Sequence, residues 1–274
     1  MRTYETPDNV EELLSRAVRA AKNTSFYSSV IPDCVEIASV SDLSRIPVTP
    51  LTEYRMQRLA DVLAEPDRVQ WIAGALGGQL SNAVANAEGP VESSIRFDIF
   101  MDALKDCLSG EKKRRCAIVS STDRRFFAAE TATILIHFGM PAHVFLDVDR
   151  KRTYEFLNIT RPDIVVVLID GLDESELPPG VELCVTFRRS QRLRKLPQLD
   201  MYLVDGIGFL GQSTDCERYL LNNDEYLFQT SENRQLIVTA LRNQVRPLIR
   251  IETLDRVKSL SRNILEFAEI SAVA

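Results

Sequence analysis

The chain reads as an α/β protein: a lobe built on a mostly parallel sheet, followed by a β-rich lobe. Two observations predict this. Between residues 91 and 204, short apolar runs of strand length alternate with amphipathic stretches, the order that builds parallel βαβ units with helices on both faces. After Gly206 that alternation stops, and residues 226–251 read as strands and turns with no helix between them.

Each element has its own warrant. Residues 10–21 place Leu13, Leu14, Val18 and Ala21 at helical spacing, with Asp8 or Asn9 positioned to cap. Residues 91–108 repeat the pattern through Ile95, Ile99, Phe100, Leu104 and Leu108. A short strand at 116–119, a helix at 124–138, a strand at 142–146 and a helix at 149–157 follow. Residues 163–168 contain the β-branched run Ile164, Val165, Val166, Val167, which suits a crowded, pleated surface. Further strands are expected at 183–187 and 201–204, and a helix at 256–268 is expected to close the chain. No repeat, low-complexity tract or linker interrupts it. The expected division is therefore residues 1–205, an α/β lobe with an N-terminal helical segment, and 206–274, a β-rich lobe with its closing helix, together one compact unit.

Composition excludes several classes. With 274 residues the chain has ample length for a sizeable core, and a formal charge of −6 supplies no basic surface for nucleic acid. No apolar run approaches the roughly 20 residues that cross a bilayer, and the polar residues 1–12 lack the apolar segment of a signal peptide. Cys34, Cys107, Cys116, Cys184 and Cys216 show no CxxC spacing, which argues against a disulfide framework and a zinc site. Buried reduced thiols and a cytoplasmic location are expected. His137 and His143 flank a turn rather than sharing a helix face, so structural roles are expected of both.

Several segments share the order of a known family. Ser25-Phe26-Tyr27 resembles a "P-x-Y" start, and Asp42-Leu43-Ser44-Arg45-Ile46-Pro47-Val48-Thr49 a "DL-x-x-x-P-x-T" entry to a helix. Arg161-Pro162-Asp163-Ile164-Val165 is similar to a "KPDII" strand. Leu236-Ile237-Val238-Thr239-Ala240-Leu241, with Pro247-Leu248-Ile249-Arg250-Ile251-Glu252-Thr253-Leu254-Asp255, reads as a strand running into a loop that ends on a carboxylate. In that order, across residues 20–258, the chain resembles the adenylate-forming superfamily, especially its phenylacetate–coenzyme A ligase group. The resemblance implies the N-terminal-domain fold of those enzymes and makes Asp255 the ribose-binding carboxylate. Asp255 is equally placed to cap the helix expected after it.

The chemistry-bearing positions depart from the family. Its phosphate loop corresponds to Ile72-Ala73-Gly74-Ala75-Leu76-Gly77-Gly78-Gln79, where Gly77 and Gly78 remain but no hydroxyl or lysine does. The aromatic-Gly-x-Ser/Thr-Glu motif becomes Asp205-Gly206-Ile207-Gly208-Phe209. Gly206 is kept, and Phe209 replaces the glutamate that helps hold magnesium, a cation that requires oxygen ligands. The adenine- and acyl-facing loop becomes Phe187-Arg188-Arg189-Ser190, a basic segment suited to a phosphate, a carboxylate or an acidic partner, or simply a solvated face. In Ser120-Ser121-Thr122-Asp123-Arg124-Arg125-Phe126-Phe127, Phe126 is the expected remnant of an aromatic wall, and Ser121, Thr122 or Asp123 is expected to cap the next helix, with ligand contact as the alternative. The family's separate C-terminal domain, with its lysine for adenylation, has no counterpart before Ala274.

The expected function is that of a non-adenylating homologue that binds an acyl or aryl acid, its thioester, or a carrier-bound form as a biosynthetic accessory. Its substrate pocket would comprise Phe126, Arg188, Arg189, Gly206 and Phe209, with Gly77, Gly78 and Asp255 a vestigial nucleotide edge. No cofactor and no metal are expected. ATP and magnesium enter only under the alternative of a split acid ligase completed by a partner. A second alternative is an ATP-independent enzyme that reuses the acyl pocket. The expected partners are a small acyl or aryl ligand and an acyl carrier protein or partner enzyme, with neither nucleic acid nor membrane. A homodimer is possible through an exposed apolar surface.

Overall fold

The computed structural model describes residues 5–69, 71–73, 86–88, 90–108, 110, 112–146, 149–169, 174–187, 193, 195–204 and 206–269. Among these, the side chains of 71–73, 86–88, 90–96, 123, 126, 176 and 269 are not described. The chain opens with α1 (Val10–Lys22), whose Leu13, Leu14, Ala17, Val18 and Ala21 are buried as the helical spacing requires. Glu11 and Glu12 in its first turn and Lys22 in its last complement the helix dipole. Asn9 is the cap residue, although its side chain makes no capping hydrogen bond. Thr24 does cap α2 (Ser25–Val30), accepting the Tyr27 N–H at 3.1 Å.

A 3-10 turn at Val40–Arg45 is fixed by Asp42, whose carboxylate accepts the Ala38 and Ser39 amides at 3.0 and 2.9 Å. β1 (Thr49–Pro50), α3 (Leu51–Arg55) and α4 (Leu59–Val62) follow. β2 (Trp71–Ala73) and β3 (Asn86–Glu88) form a small antiparallel pair, and α5 (Pro90–Cys107) begins with the proline that a first helical turn tolerates.

The βαβ region then matches its expected order: β4 (Cys116–Ser120), α6 (Arg125–His137), β5 (Ala142–Leu146), α7 (Arg150–Thr160), β6 (Ile164–Leu168), β7 (Leu183–Phe187) and β8 (Gln198–Val204). These strands pair in parallel, and β4, β6 and β8 are buried along their whole length, which is why β6 is continuously apolar rather than alternating, whereas β8 also buries Gln198 and Asp200. Asp149 caps α7 by accepting the Arg152 N–H at 2.9 Å.

From β9 (Gly208–Ser213) the pairing turns antiparallel, through β10 (Arg218–Leu221), β11 (Tyr226–Thr230), β12 (Gln235–Ala240), β13 (Ile251–Ser261) and β14 (Ile264–Glu269). All but β2 and β3 join one 12-stranded sheet in the order β11-β12-β13-β14-β10-β9-β8-β7-β6-β4-β5, with β1 alongside β13. The sheet therefore runs without a break across residue 205.

The helix expected at 256–268 is replaced by the β13–β14 hairpin. Along β13, Ile251, Thr253, Asp255 and Val257 are buried while Leu254, Arg256 and Lys258 are exposed. That period of two outweighs the helical spacing of Leu260, Ile264 and Phe267. Arg262, with φ 44°, supplies the left-handed residue that reverses the chain between the strands. Asp255 is accordingly a mid-strand residue and not a helix cap.

Two cores lie on opposite sides of the central sheet's middle strands. One joins α1–α3 to the inward face of the β-rich half, including Tyr202, Tyr219, Leu210 and Ile251. The other packs Phe100, Met101 and Leu104 of α5 and Leu135 of α6 on Leu199, Met201, Leu203 and Phe209. A smaller cluster under α7 contains Leu157, Val165 and Cys184. All five cysteines are free, but the expectation of burial holds only for Cys116, Cys184 and Cys216; Cys107 is half-buried and Cys34 is exposed.

Candidate functional site

Three segments that carried the family resemblance meet around Ile249 and Arg250. The Tyr27 hydroxyl accepts the Ile249 N–H at 2.9 Å, and the Arg250 carbonyl accepts the Thr49 N–H at 3.0 Å. Thr239 Oγ1 accepts the Arg250 N–H at 3.0 Å, while the Arg250 guanidinium donates to the carbonyls of Leu43 and Ile46. Arg250 lies at φ 50°, a conformation that these contacts hold in place. Thr239 and Arg250 thus clamp the N-terminal segment to the β-rich half. Arg161-Pro162-Asp163 is likewise a structural corner, where Asp163 accepts the Arg115 N–H at 2.8 Å and pairs with Lys112 at 2.7 Å.

Asp255 lies inside the sheet's inward face, 1% exposed, and its Oδ2 accepts the Tyr202 hydroxyl at 2.7 Å. A second carboxylate lies nearby in the same strand layer. Asp200 of β8 accepts the hydroxyls of Thr186 and Tyr219, each at 2.5 Å, and Gln198 donates to Thr186 Oγ1 at 2.9 Å. The rings of Tyr202 and Tyr219 are 5.7 Å apart, and Phe267 packs edge-on against both. Burial, and then the neighbouring Asp200, push the Tyr219 phenol well above its ordinary range. Tyr219 is therefore a permanent donor to that carboxylate.

Phe209 occupies the opposite face. It is 3% exposed, pairs with Leu203 in register, and packs against Phe100 at 6.0 Å and Phe187 at 6.3 Å. Phe187 meets Phe127 edge-on at 5.2 Å. This aromatic file rises from the sheet's middle to the C-terminal end of β7, the edge at which open α/β sheets place ligands. Gly206 is in the β8–β9 turn at φ +80°, a conformation glycine adopts without a Cβ penalty, with the Arg55 side chain near it. The structure thus separates Asp255 from Phe209 by the thickness of the sheet. Gly77, Gly78, Arg188, Arg189, Asp205 and the Phe126 side chain lie outside the described residues.

The overall path of the chain has close counterparts among solved structures. An open conformation of 2-hydroxyisobutyryl-CoA ligase, in complex with 2-HIB-AMP and CoA, superposes with a TM-score of 0.71 over 94% of this chain, at 12% identity. The adenylate-forming ligase fold is the fold of this chain.

The same ligase in its postadenylation state with 2-HIB-AMP gives a TM-score of 0.70 over 96% of this chain, also at 12% identity. The chain spans 67% of the ligase in both cases, and 65% of it in the thioesterification state, where the TM-score is 0.68. At that identity the likeness is one of fold. No protein-family model matches the chain, and no curated protein does.

Within the adenylate-forming fold, sequence reasoning singled out Phe126 for the aromatic wall and passed over Phe127, Phe187 and Phe100. The signal for them was weak, since each is one apolar residue in an apolar run. Tyr202 and Asp200 were also missed; a tyrosine and an aspartate inside an otherwise apolar strand were the available clue. Cys216 is buried at φ 59°, its N–H donated to Ser213 Oγ at 2.9 Å, which makes it part of a tight turn. His137 ends α6 with its ring against Phe138, and His143 is exposed on β5. Among the described residues no group of three or more His, Cys, Asp or Glu side chains could hold a metal ion, and no helix is long and apolar enough to cross a membrane.

Proposed function

We propose that this chain is a non-adenylating member of the adenylate-forming superfamily, nearest its phenylacetate–coenzyme A ligase group, acting as a biosynthetic accessory in the cytoplasm. In this reading it binds a small acyl or aryl acid, its thioester, or a form carried by an acyl carrier protein. The observation that carries the reading is Phe209. By the motif resemblance it stands where a metal-holding glutamate would, and its ring is buried among Phe100 and Phe187. A phenyl ring offers no oxygen to magnesium, and a carboxylate there would be buried among aromatic rings. Asp255, buried and bonded to Tyr202, adds support, because its carboxylate is turned into the protein. The aromatic file then serves as an apolar wall for a ligand that needs no activation.

The test combines two measurements on the full chain. With magnesium-ATP and a panel of aryl and acyl acids including phenylacetate, no acid-dependent pyrophosphate exchange and no acyl-adenylate is expected. In thermal-shift titrations, an acid or its CoA thioester is expected to raise the melting temperature while magnesium-ATP alone does not. Acid-dependent pyrophosphate exchange above background would overturn the reading.

A further inference from the structure

Two buried carboxamides, one in β9 and one directly after β10, have no role in anything described so far. Gln212, 2% exposed, stands opposite Met201 of β8 and Leu220 of β10. Asn222, 1% exposed, follows Leu220 by two residues, and its N–H bonds the Leu210 carbonyl at 2.9 Å. It is thus the diagonal neighbour of Gln212 across the strand pair, roughly 7–8 Å away. In both side chains the amide nitrogen and oxygen find no hydrogen-bond partner among the described residues. Buried polar atoms in folded proteins are satisfied in the great majority of cases. Two neighbouring carboxamides left open mark a place completed from outside the chain.

The strand register decides what lies beside them. Met201 and Leu203, two apart on β8, both face α5. Gln212 pairs with Met201 and Phe209 with Leu203, so the Gln212 carboxamide and the aromatic file share a sheet face. Phe209 and Gln212 are three positions apart along β9, roughly 10 Å at most. An aromatic or acyl body against Phe209 therefore brings a substituent within reach of the amide.

We propose that Gln212, with Asn222 beside it, reads a neutral polar substituent on the ligand bound against Phe209. This rests on the ligand-binding reading above and narrows its substrate class. A carboxamide offers two donors and an acceptor and carries no charge. A hydroxyl or primary amide satisfies both kinds of atom; a carboxylate satisfies only the donors and is repelled by the Gln212 Oε1. The ligand is thus an aryl or acyl compound with a hydroxyl or amide on its apolar part, separate from its acid or thioester end. Sites that hydrogen-bond such a group discriminate strongly against analogues lacking it.

The experiment measures affinities of the full chain for phenylacetate and para-hydroxyphenylacetate by calorimetry, in wild type, Q212M and N222L, with melting temperatures alongside. The hydroxylated probe is expected to bind wild type about tenfold tighter or better. Q212M is expected to erase that preference without lowering the melting temperature, since it removes a buried unsatisfied amide. N222L, at an independent position, is expected to reduce the preference. Equal affinities in wild type, no binding of either probe, an unchanged preference in both variants, or soaked crystals with ordered water only at both amides would overturn the proposal. An acyl-adenylate formed by wild type would instead sink the non-adenylating reading and leave the substituent preference standing.

Discussion

Tyr202 sets the behaviour of Asp255, because a buried carboxylate is tolerable only with donors around it. Tyr202→Phe removes one of them while leaving the ring in place. It is expected to destabilise the protein by about 1–3 kcal/mol in urea denaturation. Phe209→Ala is expected to cost about 3–5 kcal/mol through the cavity left between Phe100 and Phe187, and to abolish the thermal shift with acyl or aryl ligands. Asp163 has a pH signature. Burial alone would raise its carboxyl, but the Arg115 amide and the Lys112 ammonium outweigh that and hold it below the ordinary carboxylate range. A depressed folded pKa contributes stability above the unfolded pKa, and that contribution is lost as pH falls through the folded value. Asp163→Asn is therefore expected to be less stable than wild type at neutral pH, with the gap narrowing in paired denaturation curves once the pH falls below the ordinary carboxylate range and through the depressed folded value. None of these partners was legible beforehand, because Tyr202 and Asp255 are 53 residues apart in sequence.

Elements were legible where one period dominated. The heart of the parallel sheet could be read from unbroken apolar runs such as that of β6, since a strand covered on both faces has no polar side to show. The β13–β14 hairpin was misread because its apolar residues satisfy both a helical and a two-residue spacing. Only pairing with β12 on one side and β10 on the other resolves that ambiguity. The β9–β10 pair depends on close backbone approach at Gly211, where a Cβ would stand 2.6 Å from the Leu220 carbonyl oxygen. Gly211→Ala must push the strands apart and is expected to cost about 1–3 kcal/mol. If Gln212 and Asn222 hold a ligand, the same variant also weakens its binding, because their spacing depends on this contact. A Gly211→Ala protein as stable as wild type would refute that account of the strand pair.

At the scale of the whole molecule, the boundary expected at residue 205 falls between β8 and β9, two strands bonded to each other within one continuous sheet. Cutting there exposes the edge of β8 and strips the α1–α3 core of the Tyr219, Leu221 and Ile251 side chains it packs on. A fragment of residues 1–205 is expected to lack a cooperative urea transition and to bind a hydrophobic dye, whereas the full chain unfolds in one step. Cooperative unfolding of the fragment would show the two lobes to be independent. By itself the sequence determined the α/β class and the places along the chain of the parallel strands, because periodicity is a local property. The tertiary structure alone decided that Asp255 is sealed under Tyr202, that Phe209 lies on the far face of the sheet, and that Gln212 stands beside the aromatic file. Those facts depend on strand register, which brings together residues distant in sequence.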